Sequence, residues 1–240
     1  TQEQERPMTA IPTDVAAPTA FAAYDISKDG FTGSWSASDL ATVYAMHVIK
    51  VHTAAADGDY DLVDTDFSYF QTEGTPDAPQ KELEGCIDGD WQVAMPAYAK
   101  GMLGLNNQDF DLFGAAMLVS PVFDMSVGSG TVKISLDAMG RKGLDKASMG
   151  IAHYNAAGGI EYIDKYDFVV SETMQTIEKS FTGADQNSFV VISSDVLGIL
   201  FIDNLKVSID MRKDQSILVP VRTYETAETS QEATNLGIAY

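Results

Sequence analysis

The sequence predicts an all-β protein: a jelly-roll sandwich accompanied by a second, partial sandwich made from the two ends of the chain. Three observations predict it. Short apolar and β-branched runs recur at close spacing from Met102 to Asp210. Glycine turns such as Gly128-Ser129-Gly130 and Ala157-Gly158-Gly159 fall between them. No amphipathic pattern of helical period persists for roughly 12 residues anywhere. Many short strands with turn residues between them, and no helices, lead to sandwiches or jelly rolls.

Residues 1–18 carry Pro7, Pro12 and Pro18 with little periodicity and read as a linker or arm. Over 19–56 alternation begins, with Phe31, Gly33 and Trp35 on one strand face and Thr32, Ser34 and Ser36 on the other. Asp29-Gly30 is the preceding turn, and Val43 to Val51 is a second strand on its β-branched and aromatic content. Residues 57–211 form the insert. It opens on Asp57–Asp66, whose five aspartates read as a flexible acidic loop, and continues through 71–90, rich in Gly, Pro, Asp and Glu, as a long irregular loop. Strands are expected at Met102–Leu105, Ala115–Leu118, Val122–Phe123, Thr131–Met139, Ala147–Tyr154, Ile160–Lys165, Met174–Ser180, Ser188–Ser193, Leu197–Phe201 and Asn204–Asp210. Residues 212–240 return to the frame of 19–56 with Val219–Tyr224 and Thr229–Leu236.

Composition narrows the partners. With 15 Lys+Arg against 35 Asp+Glu, the formal charge is −20. Such a chain repels phosphate backbones and anionic membranes, so nucleic acid is excluded as an expected partner. A hydrophobic content of 45% and an aromatic content of 10% supply a core, which excludes a disordered chain. The single cysteine, Cys86, excludes an intrachain disulfide and reads as a small buried residue. No apolar run reaches the ~18 residues of a membrane span. The polar start, Thr1 to Pro7, has no hydrophobic signal core, and a mature chain whose leader has been removed is the expectation.

The stretch Phe31-Thr32-Gly33-Ser34-Trp35, with Tyr44 on the next strand, resembles the first strands of a fibronectin type III domain. The segment Thr229–Leu236 resembles the approach to that family's tyrosine corner, with Tyr240 as the corner residue. The last strands of such a domain are missing from this sequence, so the resemblance implies an incomplete frame. Three patches in the insert resemble the jelly rolls of bacterial surface adhesins and galactose-binding-like modules: Gly89-Asp90-Trp91-Gln92, Leu118–Ser126, and Gly198–Val207 with its Ile202-Asp203-Asn204 core. That resemblance implies a structural calcium ion ligated by Asp203, with Gln71 and Glu73 assisting from Phe67–Glu73.

Catalytic constellations fail on spacing. Asp57–Asp66 has Asp-x-Asp-x-Asp, but Leu62 and Ser68 stand where an EF-hand needs glycine and glutamate. Glu161 and Asp164 are three apart and point to opposite faces of a regular strand. Glu161 and Asp167 would lie about 20 Å apart at ~3.3 Å per residue, too far for a glycosidase pair. His47, His52 and His153 make no zinc spacing, and no Gly-x-Ser-x-Gly elbow exists. Trp and Tyr can stack on sugars, and several aromatics lie in the loop-rich half of the insert. Trp91 follows the turn Asp88-Gly89-Asp90 and is expected to be exposed, so Trp91, Tyr98, Asp88 and Asp90 are the expected ligand-binding residues.

The expectation is a non-catalytic, secreted or cell-surface adhesion module that binds a glycan or an extracellular protein surface. The alternatives are a pilus-like structural subunit assembling through sheet edges and an accessory domain of a glycoside hydrolase.

Overall fold

The computed structural model describes residues 15–68, 70, 83, 87, 89–99, 101–107, 116–141, 145–194, 198–234 and 236. The chain is all-β. It divides into two compact units, one of residues 1–46 with 223–236 and the other of 47–222 with 237–240.

In the first unit, β1 (Phe31–Ser34) pairs antiparallel with β15 (Ser230–Ala233), Phe31 opposite Ala233 and Ser34 opposite Ser230. Single bridges join Ala20 to Trp35 and Tyr24 to Thr32. Trp35 is buried with its ring 5.7 Å from that of Tyr44, whose hydroxyl accepts the Ser38 amide hydrogen at 3.0 Å.

The second unit is a sandwich of two antiparallel sheets. The five-stranded sheet runs β10 (Ile160–Val170), β9 (Asp145–Tyr154), β12 (Phe189–Ser194), β7 (Ala116–Val119), β4 (Gln92–Ala94). The six-stranded sheet runs β11 (Gln175–Phe181), β8 (Val132–Gly140), β13 (Ile199–Met211), β6 (Met102–Asn106), β5 (Pro96–Ala99), and β3 (Gly58–Thr65) also pairs with β13. β13 is long enough to hold β6 along 199–202 and β3 along 205–211. β2 (Tyr44–Thr53) pairs with β14 (Ser216–Thr226), and the Thr53 and Ser216 hydroxyls meet at 2.8 Å.

Alternation builds the core. Val132, Ile134, Leu136 and Ala138 of β8 point inward, while Lys133, Ser135 and Asp137 point away. Val207 and Ile209 of the neighbouring β13 stand beside them, opposite Ile134 and Val132, and Met149 and Ile151 of β9 with Val190 and Ile192 of β12 join from the other sheet in one cluster. Each such side chain contributes about 1.5–3 kcal/mol by leaving water. β12 is buried on both faces, and its first four residues, Phe189 to Ile192, are accordingly all apolar.

Asp57–Asp66, expected as a flexible loop, is mostly strand β3. Its register breaks once, between Asp61 and Val63, so Leu62 and Val63 are both buried while Asp59, Asp61 and Asp64 stay outside. The aspartates hid an ordinary half-buried strand. A second bulge, at Ile163 of β10, overturns the parity assigned to Glu161 and Asp164: opposite His153 and Ile151 respectively, they come to one side of the sheet. Their carboxylates go to different partners, Glu161 to His153 at 3.8 Å and Asp164 to the Thr182 amide at 3.3 Å.

Candidate functional site

Trp91 is not the exposed platform expected of it. It retains 2% exposure and belongs to the main core cluster. It lies at the start of β4, where its indole replaces solvent as the filler between the sheets, so it cannot stack on a ligand arriving from water. Gly89 explains the approach: its φ of +102° is left-handed, and a Cβ there would come 3.2 Å from Pro121 Cγ and 3.4 Å from the Pro220 carbonyl oxygen. Asp90 is half-buried. Its amide donates to the Pro220 carbonyl at 3.0 Å, and its carboxylate accepts from Gln92 Nε2 at 2.9 Å. Tyr98 lies on β5, opposite Leu103. Asp88, Gln71 and Glu73 lie outside the described residues.

Asp203 sits on β13 just before a bulge centred on Asn204, whose φ is +46°. Burial pushes its carboxyl above the usual range. The Asn204 amide, donating at 2.8 Å, pulls the other way, and the negative charges of Asp66 and Asp137 add to the rise. Asp137 has both oxygens engaged, one by the Thr176 hydroxyl at 2.5 Å and one by Asn204 Nδ2 at 2.8 Å. Asp66 is held below its usual value by the Ser68 amide and hydroxyl. The fit to a cation is partial. The repulsion on Asp203 is what a cation would relieve, yet no three His, Cys, Asp or Glu among the described residues gather closely enough to hold one.

The residues that do assemble are on the face of the five-stranded sheet opposite the core. Odd and even positions separate there. Met149 and Ile151 face inward, while Ser148, Gly150, Ala152 and Tyr154 of β9 face out. Phe189 pairs with Ala152, and Val191 with Gly150 on one side and with Val119 of β7 through β12. Across the other edge of β9, Tyr162 pairs with Ala152 and Ile160 with Tyr154. The result is a second apolar cluster, separate from the main core: Val119, Ala152, Phe189 and Val191, with Met117, Ile160 and Tyr162 packed against them.

Two tyrosines crown it. Tyr154 is 53% exposed, and its ring lies tilted on that of Phe189 with centroids 4.5 Å apart. Tyr162 lies over Gly150, where a Cβ would come 3.2 Å from its Cδ1 and would run into the Asp164 carbonyl oxygen. Lys165 Nζ stands 5.2 Å from the centre of the Tyr162 ring and 2.8 Å from an Asp167 oxygen. The buried Ser148 and Ser193 hydroxyls share a hydrogen bond of 2.8 Å, and Gln92 on β4 lies opposite Val119. Val119, Ala152, Phe189 and Val191 are themselves buried, so the face meets solvent at Tyr154 and in part at Tyr162, with Lys165, Asp167 and Gln92 as exposed donors and acceptors on the same sheet, a composition that takes an amphipathic ligand.

Sequence reasoning missed Tyr154 and Tyr162. The signal was present in the small residues Ser148, Gly150 and Ala152, which alternate on β9 and leave room for rings from neighbouring strands.

No family model and no curated protein matches the chain. Among the solved structures similar to it are carbohydrate-binding modules. The CBM22-1 xylan-binding domain from Paenibacillus barcinonensis Xyn10C is 12% identical, with 66% of this chain and 99% of that chain covered and a TM-score of 0.43. The family 11 carbohydrate-binding module from Clostridium thermocellum, in complex with a β-1,3-1,4-mixed-linked tetrasaccharide, is 12% identical, with 82% and 97% covered and a TM-score of 0.34. Likeness at this level carries no assignment of ligand to this chain.

Proposed function

We propose that the protein is a non-catalytic carbohydrate-binding module, secreted or presented at a cell surface, that holds a glycan on the outer face of its five-stranded sheet. The observation that carries the reading is the second apolar cluster, on the far side of the sheet from the core and ending in the half-exposed Tyr154. The C–H face of a pyranose packs on such a ring, while Lys165, Asp167 and Gln92 supply donors and acceptors for its hydroxyls. Tyr154 is the platform in this reading, because its ring is braced by Phe189 and half-open to solvent. Affinity electrophoresis in gels containing xylan, mixed-linkage β-glucan or β-1,4-galactan tests it. Retardation in at least one gel is expected, lost in Tyr154→Ala at unchanged melting temperature. Equal mobility in every gel overturns the reading.

An exposed apolar row of Ile49 and Val51 on β2 with Leu218 on β14 favours a second reading, a module that assembles with other copies or proteins. Sedimentation equilibrium separates it: concentration-dependent association that Val51→Lys abolishes supports assembly. Structural calcium at Asp203, with Gln71 and Glu73, is a further proposal. It predicts an upward shift in melting temperature with calcium that Asp203→Ala removes.

A further inference from the structure

We infer that the opposite sheet carries a second saccharide site, one that takes a small neutral polyhydroxylated ligand by hydrogen bonds alone. The outer face of the six-stranded sheet holds a cleft of about 400 Å³ lined by Asp59, Asp61, Lys133, Ser135, Glu178, Lys206 and Ser208. These come from four neighbouring strands in register: Asp61 is opposite Ser208, Lys206 opposite Ser135, and Ser135 opposite Glu178. The volume lies within the range of small-molecule sites, roughly 300–1,000 Å³.

The lining is already organised. Lys206 Nζ reaches Asp61 at 2.7 Å and Asp64 at 3.6 Å, the Ser208 hydroxyl donates to Asp61 at 2.8 Å, and Lys133 Nζ reaches Glu178 at 3.1 Å. What these bonds leave over decides the ligand. Asp61 Oδ1 and Oδ2 are taken, but the second Glu178 oxygen, the Asp59 carboxylate and the Ser135 hydroxyl can accept. The remaining ammonium hydrogens of Lys133 and Lys206 and the Ser135 hydroxyl can donate. An anion would meet the carboxylates, and a cation would meet two ammonium groups. A hydroxyl is donor and acceptor at once, so vicinal hydroxyls of a sugar satisfy both sets. None of the lining side chains is aromatic, so the ligand gains no ring stacking, and binding in the millimolar range follows. The site stands whether or not the Tyr154 face binds glycan.

The test is an NMR titration of the full, isotope-labelled chain with xylobiose, cellobiose, lactose and maltose in turn. At least one disaccharide is expected to move the amides of Asp59, Ser135, Glu178 and Lys206 with a saturating curve. The same shifts are expected in Tyr154→Ala, which isolates this cleft from the other face. Asp59→Ala and Ser135→Ala break none of the bonds described above, and the first should weaken binding about tenfold, as the loss of a hydrogen bond to a charged group does. Parallel arms use calcium chloride, spermine and sodium phosphate. Movement of these amides with an ion and with no disaccharide overturns the proposal, as does silence with all of the sugars.

Discussion

Asp203 is a carboxylate whose surroundings work against its charge, and the sign of the effect can be tested. Its folded value is raised above the ordinary 3.8 by burial and by Asp66 and Asp137. The folded state therefore binds its proton more readily than the unfolded state, and this group's cost to stability grows as pH rises through the window above 3.8. Asp203→Asn should raise the melting temperature at neutral pH, with the gain closing below the ordinary value. Asp185 has the opposite sign. The Asn187 amide and Ser188 hydroxyl hold it low, so its contribution is present at neutral pH and is lost as pH falls below 3.8. Asp185→Asn should therefore lower the melting temperature at neutral pH and have little effect in strong acid. Trp91→Ala should cost about 3–5 kcal/mol in urea-monitored unfolding, the range for emptying a large core site. That residue shows where sequence reasoning runs out. Its neighbours Gly89 and Asp90 are turn residues, and turn residues speak for exposure. Whether the next side chain folds back into a core is settled by strands distant in the chain.

At the scale of an element, the β9–β10 hairpin positions Tyr154. Asn155 ties the turn, accepting from the amides of Ala157 at 3.0 Å and Gly159 at 2.9 Å, and Gly158 takes the left-handed φ of +79°. This turn was legible, because adjacent glycines between two β-branched and aromatic runs leave few alternatives. Asn155→Ala removes two local bonds and should cost about 1–2 kcal/mol by thermal unfolding. It should weaken glycan retention without abolishing it, since Tyr154 keeps its contact with Phe189. β8 was legible for the same kind of reason: its apolar residues alternate without a fault from Val132 to Ala138. β3 was not, because five aspartates outweigh Tyr60, Leu62 and Val63 in any local count, and only pairing with β13 makes a strand of them. The bulges at Leu62 and Ile163 were equally hidden. A single inserted residue leaves the composition unchanged but reverses every parity beyond it.

For the whole molecule, the charge of −20 sets a self-repulsion that salt relieves. Raising sodium chloride from about 0.01 M to about 0.15 M shortens the screening length from ~30 Å to ~8 Å. The melting temperature should rise across that interval, while retention on an uncharged glycan should stay nearly constant, because ring stacking is not screened. The two sheets of the sandwich carry different outer surfaces, aromatic on one and charged on the other, around one shared core. The strand that joins much of this together has a consequence for how the protein is made. β13 comes late in the chain, yet β3, β6 and β8 all bond to it. While a ribosome is still short of residue 211, those three strands have been synthesised without the neighbour that completes their sheet. Their shared edge therefore stays unpaired, with the apolar faces of the unfinished sheet uncovered, until β13 emerges, so completion of this sheet is a late event with long-range pairing.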